Sequence, residues 1–419
     1  MIKKFPFSDS TYRLYSFLGQ ESYKKKRYKK AEKYFKLYLK SDLSKGRGMI
    51  FFALLSIKYQ NKEYQEIIDL LHKSPLPPLS EEQLKQIPIY LSKAYFQLGE
   101  YAKTYRMISN NIFYNNLKEY PPQILLLYVK SALYIERPQE ARNTIKLFET
   151  EKNFYGQAIY ALGDYYFTKN KFEEAIGLFS RVIIEGDSKK TIDQAKIKLA
   201  EIYLKKKRFK DALDKLAEIK NKNFKTTKVA LSILVYFATG NHKKATSLTR
   251  KNFKSLSKNS YKDKVFQANL EYYYQQKNLK KFNHYAKYLI KNEAKKDFVL
   301  YRQAKIYLQK KSYKKSYSYF YKLFSRKNEY WPEAAYNLAL INYYHKKKSA
   351  LALKYLNQLS QDLEKTNPFK WKAKIILAKY WHKAKKKKKA KEYLLDIIKN
   401  CPQNESVNQA DKLLKHYAY

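Results

Sequence analysis

The residues of this chain best suited to chemistry are its cations. Lys24-Lys25-Lys26-Arg27 and Lys205-Lys206-Lys207-Arg208 are four-residue runs, joined by Lys310-Lys311, Lys346-Lys347-Lys348 and Lys385-Lys386-Lys387-Lys388-Lys389. Grouped ammonium and guanidinium groups attract phosphates and other dense anions through Coulomb forces, with no covalent step. Groups that make or break bonds are dispersed. Metal coordination needs clustered donors, and His72, His242, His284, His345, His382 and His416 are scattered. Gly46-Arg47-Gly48 lacks the Lys-Ser continuation of a phosphate loop, and no Gly-x-Ser-x-Gly elbow is present. Glu81-Glu82 and Glu173-Glu174 read as charges that open helices. Cys401 is the only cysteine, so no intrachain disulfide forms. The expectation is a non-enzymatic protein with no metal and no cofactor.

The elements that position these clusters announce themselves by repetition. Leu162-Gly163-Asp164-Tyr165-Tyr166, followed by Lys171-Phe172-Glu173-Glu174-Ala175-Ile176-Gly177-Leu178-Phe179, recurs in looser form along nearly the whole chain. Anchoring each copy on the equivalent of Ala175 gives Ala31, Ile67, Thr104, Ala141, Ala175, Ala212, Ala245, Phe282, Ser316, Leu351 and Ala390, spaced 33 to 39 residues apart. Ala195, Ile197, Leu199, Ala200, Ile202 and Tyr203 show the amphipathic spacing of a helix, as do Leu213, Leu216, Ala217 and Ile219. No stretch alternates with period two for long enough to argue a sheet. Asn61, Gly99, Asn170, Gly240 and Asn278 mark turns within copies, while Pro121, Pro332 and Pro368 separate them. The fold expected is all-α, with about eleven helical hairpins.

A small-residue pair with an aromatic, then an alanine and an aromatic four on, resembles the tetratricopeptide repeat, whose period is about 34 residues. The resemblance covers roughly residues 12–404 and is closest around Ala31, Ala175, Ala212 and Ala390. It implies a right-handed α-α superhelix, a solenoid stabilised by neighbour contacts. Residues 1–11 would be an N-terminal arm and 405–419 a closing helix. It also implies a concave groove, lined by the first helix of each hairpin, that takes a peptide or partner protein. At one groove position the chain carries Tyr23, Tyr59, Phe96, Phe167, Phe237, Tyr274 and Tyr343; seven residues earlier in their helices lie Tyr160, Tyr301 and Tyr336. Such rings supply contact area at low entropic cost, although an apolar stripe at helical spacing also serves as core. Family members that hold a terminal carboxylate need a lysine, asparagine and arginine set. Tyr301, Lys305 and Ile376 break that set here, so that subtype is not expected.

Lysine and arginine number 87 against 37 acids, a net charge of +50. An AT-rich genome would enrich Lys, Tyr, Asn, Phe and Ile together, so composition alone decides little. Position decides more. The cationic runs fall on the turn joining the two helices of a hairpin, so stacking would align them along one edge. Two unit charges ~10 Å apart repel by only ~0.4 kcal/mol in water before screening, so the ridge is tolerable without a partner. Two functions follow as expectations: a scaffold binding a protein segment in its groove or, as the alternative, binding of nucleic acid or another polyanion, including an anionic membrane surface, along the lysine edge. The first ten residues lack the apolar stretch of a signal peptide. A cytoplasmic location is therefore expected, or a periplasmic one if a leader has been removed. The apolar runs fall short of the ~20 residues of a membrane span.

Overall fold

The computed structural model describes residues 8–41, 43, 46–72, 76–110, 116–148 and 150–417. Among them every regular element is helical. The helices follow one another in pairs: Asp9–Lys24 (α1) with Tyr28–Leu39 (α2), Arg47–Gln60 (α3) with Tyr64–His72 (α4), and Glu81–Gln97 (α5) with Tyr101–Ser109 (α6). Next come Pro122–Tyr134 (α7) with Pro138–Ile145 (α8), Lys152–Thr168 (α9) with Phe172–Glu185 (α10), and Lys189–Lys205 (α11) with Phe209–Ala217 (α12). Lys225–Ala238 (α13) precedes His242–Lys251 (α14) and a single turn, Phe253–Leu256 (α15). The remaining pairs are Lys262–Gln275 (α16) with Leu279–Leu289 (α17), Glu293–Gln309 (α18) with Tyr313–Arg326 (α19), Trp331–Leu340 (α20) with Ser349–Asp362 (α21), and Pro368–Lys383 (α22) with Lys387–Asn400 (α23). Asn404–His416 (α24) closes the series against α22 and α23. Of the segment expected as an N-terminal arm, residues 1–7 lie outside the described residues, and Asp9 already belongs to α1.

One backbone device makes each pair. Five residues before every anchor the chain enters the left-handed region, with φ between 51° and 80°. These residues are Lys26, Lys62, Gly99, Glu136, Asn170, Lys207, Gly240, Lys277, Lys311, Lys347 and Lys385. A single left-handed residue reverses the chain while satisfying the last carbonyls of the first helix. Seven of the eleven are lysine, a residue with a Cβ penalty at that conformation.

The pairs close over small contacts. Ala31, Ala141, Ala175, Ala212, Ala245 and Ala390 are wholly buried, as are the less regular anchors Ile67, Thr104, Phe282 and Ser316. Where the anchor carries a hydroxyl, it bonds across the hairpin: Thr104 Oγ1 donates to the Ser92 carbonyl at 3.4 Å and Ser316 Oγ to the Ala304 carbonyl at 3.0 Å. A Cβ on Gly19 would sit 2.5 Å from the Phe35 ring, and one on Gly163 2.9 Å from Phe179. The aromatic four residues past the anchor thus fills the space that glycine opens.

The tenth copy needs a correction. Leu351 is half-buried, whereas Ala352 is 1% exposed and takes the anchor place. A π-helical turn at Ile341–His345 inserts one extra residue ahead of the anchor. The left-handed Lys347 agrees, standing five residues before Ala352.

The chain forms two compact units, Met1–Leu231 and Ser232–Tyr419. Among the described residues no helix is long and apolar enough to cross a membrane.

Candidate functional site

In the N-terminal unit the first helices α5, α7, α9 and α11 share a groove of about 850 Å³. Phe96, Lys130, Leu133, Gln157, Tyr160 and Asp164 are among its lining residues. Most charges here are satisfied within the protein: Lys198 Nζ lies 2.7 Å from Asp164 and Lys169 Nζ 2.6 Å from Glu136. Lys130 is different. Burial alone acts on it, holding its pKa below the ordinary lysine value, and no described acid pairs with it. Lys93, one repeat earlier on α5, is depressed for the same reason, with its ammonium 5.9 Å from the Tyr90 ring centre. Burial also pushes the Tyr160 phenol up, helped by the fields of Asp164 and Glu201, so Tyr160 presents a neutral hydroxyl.

All ten aromatic groove candidates are half-buried, because each has another ring to lean on. Five pack against the residue that opens the second helix of their own hairpin: Tyr23 on Tyr28 at 5.9 Å, Tyr59 on Tyr64 at 5.5 Å, Phe96 on Tyr101 at 5.3 Å, Phe167 on Phe172 at 6.1 Å and Phe237 on His242 at 5.9 Å between ring centres. Tyr160 leans on Phe179, Tyr274 on Phe282, Tyr336 on Phe369 and Tyr343 on Tyr380. Of the ten, Phe96 and Tyr160 line the N-terminal groove, while Phe167 is covered by Lys198 and Lys205. In the C-terminal unit the equivalent face is knitted shut. Tyr301 stacks on Tyr330 at 4.7 Å and donates to Glu333 at 2.7 Å, Lys305 pairs with the same Glu333, and Arg302 binds Glu271.

The hairpin turns divide along the same line. Counting the seven residues before each anchor, the six turns of the N-terminal unit hold sixteen lysines and arginines with eight acids. Seven of the sixteen are ion-paired: Lys24 and Lys25 with Glu21, Lys103 with Glu100, Arg137 with Glu140, Lys169 with Glu136, Lys206 with Glu173 and Arg208 with Asp211. The five turns of the C-terminal unit hold eighteen lysines and no acid. Lys310, Lys311, Lys347, Lys385 and Lys386 are exposed, and Lys346 lies over the Tyr317 ring at 3.4 Å. None of the eighteen is ion-paired with a described residue. Several instead cap rings, as Lys244 does Tyr236 at 4.3 Å and Lys389 does Trp381 at 4.0 Å. Lys26, Arg27, Lys205 and Lys207 of the expected edge are exposed on the N-terminal unit.

Acids close enough together to hold a metal ion occur at Glu32, Glu63 and Glu66. Lys58 already occupies their centre, with Nζ 2.6 Å from each carboxylate and the residue 3% exposed. Desolvation opposes its charge, but hydrogen bonds to the three glutamates outweigh it and raise its pKa. The ammonium does there what a divalent cation would do. In seven other copies that position carries an aromatic: Tyr95, Tyr166, Tyr203, Tyr236, Tyr273, Tyr307 and Trp381.

Sequence reasoning missed Lys93 and Lys130. Their signal is a lone cation at one repeat position within apolar helices, as in Leu125-Leu126-Leu127-Tyr128-Val129-Lys130.

Residues 130–274 match the model of a family described as a tetratricopeptide repeat-like domain. No curated protein matches the sequence. Among solved structures, the crystal structure of yeast Tom70 aligns with 98% of this chain and 96% of its own, at 13% identity and a TM-score of 0.35.

Proposed function

From a chain whose residues 130–274 form a tetratricopeptide repeat-like domain, we propose a non-enzymatic scaffold that holds a segment of a partner protein in the groove of its N-terminal unit. Repeats of this kind generally mediate protein–protein binding and are typically non-catalytic. The observation that carries the reading is Lys130, a half-buried cation without a partner in a groove shared by four consecutive first helices. Burying a charge unpaired is unfavourable, so a segment that supplies a carboxylate there relieves a standing cost. Phe96 and Tyr160 offer ring surface beside it, of the kind that carries binding energy at interfaces.

The test is selection of binding peptides from a random display library on the full chain, followed by affinity measurement on Lys130→Glu and Tyr160→Ala variants. Peptides selected by the parent protein should bind at least roughly 10-fold more weakly to each variant, the loss of one well-placed contact. They should also carry an acidic residue in common. Melting curves identify a variant that has lost its fold. Equal affinity for folded variants, or crosslinks mapping away from α7 and α9, would defeat the reading.

A further inference from the structure

We propose that the hairpin-turn edge of the C-terminal unit binds nucleic acid, with phosphates along the lysines and a base in a cationic aromatic recess beside the first two turns. This surface is independent of the N-terminal groove.

Two observations carry the proposal. The first is the charge itself. Eighteen lysines and no acid occupy five successive turns, and seventeen of the eighteen are exposed. Ring contacts show that successive hairpins meet at this edge: Tyr313 of one turn stacks on His345 of the next at 3.5 Å, and His242 of the first turn lies 4.7 Å from Tyr272 in the last turn of α16. The cations therefore form a row. General enrichment in lysine does not account for this arrangement, because the C-terminal unit has twelve acids and none of them falls in its five turns, whereas eight acids fall in the six turns of the N-terminal unit. Four of the five left-handed positions here are lysine, where asparagine, encoded by equally AT-rich codons, would sit more easily.

The second observation is a recess of about 580 Å³ between α14 and α17, lined by Lys243, Arg250 and Lys281 together with Phe253, His284 and Tyr285. Lys243 and Lys281 belong to the first two turns of the row, so the recess opens onto it. Phe253 is backed by the buried Phe266, parallel to it at 5.1 Å, and the exposed His284 stands tilted beside Phe253 at 5.0 Å. Burial and nearby Lys287 hold the His284 pKa below the ordinary value, so its ring is neutral at neutral pH. A basic track with aromatic faces beside it is the recognition pattern of single-stranded nucleic acid.

Other polyanions fit less well. A membrane surface calls for apolar side chains to insert, and no large hydrophobic residue of these five turns is exposed. The eighteen cations are all lysine, point charges that follow a phosphate chain without the bidentate geometry by which arginine selects individual groups.

The experiment uses the full chain and fluorescence anisotropy with a labelled 20-nucleotide single strand, its duplex, and vesicles of anionic phospholipid across a salt series. The C-terminal variant replaces Lys310, Lys311, Lys314, Lys315, Lys385 and Lys386 with Gln. The control variant removes six cations from the other unit, replacing Lys24, Lys25, Lys26, Lys205, Lys206 and Lys207 with Gln. The parent should bind the strand with log affinity falling linearly in log salt. The C-terminal variant should lose roughly 100-fold at 100 mM salt and about 4 of the slope, at ~0.7 per phosphate contact on a single strand, while the control changes less than about threefold. His284→Ala should weaken the single strand more than the duplex. Absence of binding at low salt, equal losses in both variants, or tighter capture by vesicles than by the strand would each overturn the proposal.

Discussion

The two units build the same hairpin and leave opposite parts of it unsatisfied. In the N-terminal unit acid–base pairs such as Glu136–Lys169 and Glu173–Lys206 join successive turns, and a half-buried cation without an ion pair, Lys130, lies in the groove. In the C-terminal unit Glu333 and Glu271 consume the charges of the corresponding face, and the turns carry cations alone. The net charges follow: +19 over the first unit, from 44 cations and 25 acids, and +31 over the second, from 43 and 12. The cation counts are thus nearly equal, although the second unit is the shorter. Acid number and placement differ more, and the two proposals, the groove of one unit and the edge of the other, rest on that difference.

The sharpest way to break this contrast is Lys58→Met. It removes the cation shared by Glu32, Glu63 and Glu66, leaving carboxylates that repel one another with Lys36 alone beside Glu32. A cost of about 2 kcal/mol is expected, less than for a fully buried pair because water screens Glu63 and Glu66. Chemical denaturation should show the N-terminal unit unfolding earlier while the C-terminal transition stays in place. The triple variant Lys58→Met, Glu32→Gln, Glu63→Gln should recover most of the loss; failure to recover would mean that packing, not charge, holds the site. Acid gives an independent view. Burial works to raise the Glu32 pKa, but its bonds to Lys36 and Lys58 outweigh that and lower it below 4.5. Its contribution is therefore complete above pH 4.5 and disappears as pH falls through the depressed folded value.

That cluster also marks how far the sequence could be read. The helical pairs, their turns and ten of the eleven anchors are legible because each depends on one repeated local rule: a left-handed residue, then five residues on a small or buried side chain. Leu351 misleads because the π-turn at Ile341–His345 is a backbone event with no residue signature. Lys58 looks like any solvated lysine until Glu32 arrives from the preceding hairpin, 26 residues away. The aromatic groove residues are legible as a stripe. Their half-burial is not, since it depends on which neighbouring ring each finds.

Gly163→Ala probes a second difference between the units. Eight of the nine glycines belong to the N-terminal unit, and the C-terminal unit places larger residues where Gly19 and Gly163 stand, as at Ile233, Leu270, Ala304 and Ala378. A methyl group on Gly163 meets the Phe179 ring at 2.9 Å, and that ring is wholly buried with nowhere to swing. Overpacking of this kind costs about 1–3 kcal/mol, reduced by alanine's better helix propensity. The melting temperature of the N-terminal transition should fall. A rise would mean that α9 and α10 separate freely, and that close approach is not what defines these hairpins.

Lys311→Gly has the smallest effect on stability and separates conformation from charge. At φ 56° the lysine Cβ crowds its own carbonyl, a penalty glycine escapes, while glycine's freer unfolded chain returns part of the gain. A net stabilisation of about 0.5–1 kcal/mol is expected. Lys207→Gly, at φ 60° in the N-terminal unit, should gain the same. Their effects on nucleic-acid affinity should part company: the lysine lost from the uncompensated edge weakens binding, and the one lost from a turn where Lys206 pairs with Glu173 and Arg208 with Asp211 leaves it nearly unchanged. Matching stability gains with matching affinity changes would show that the eighteen lysines act only through net charge, and the contrast between the two units would lose its functional meaning.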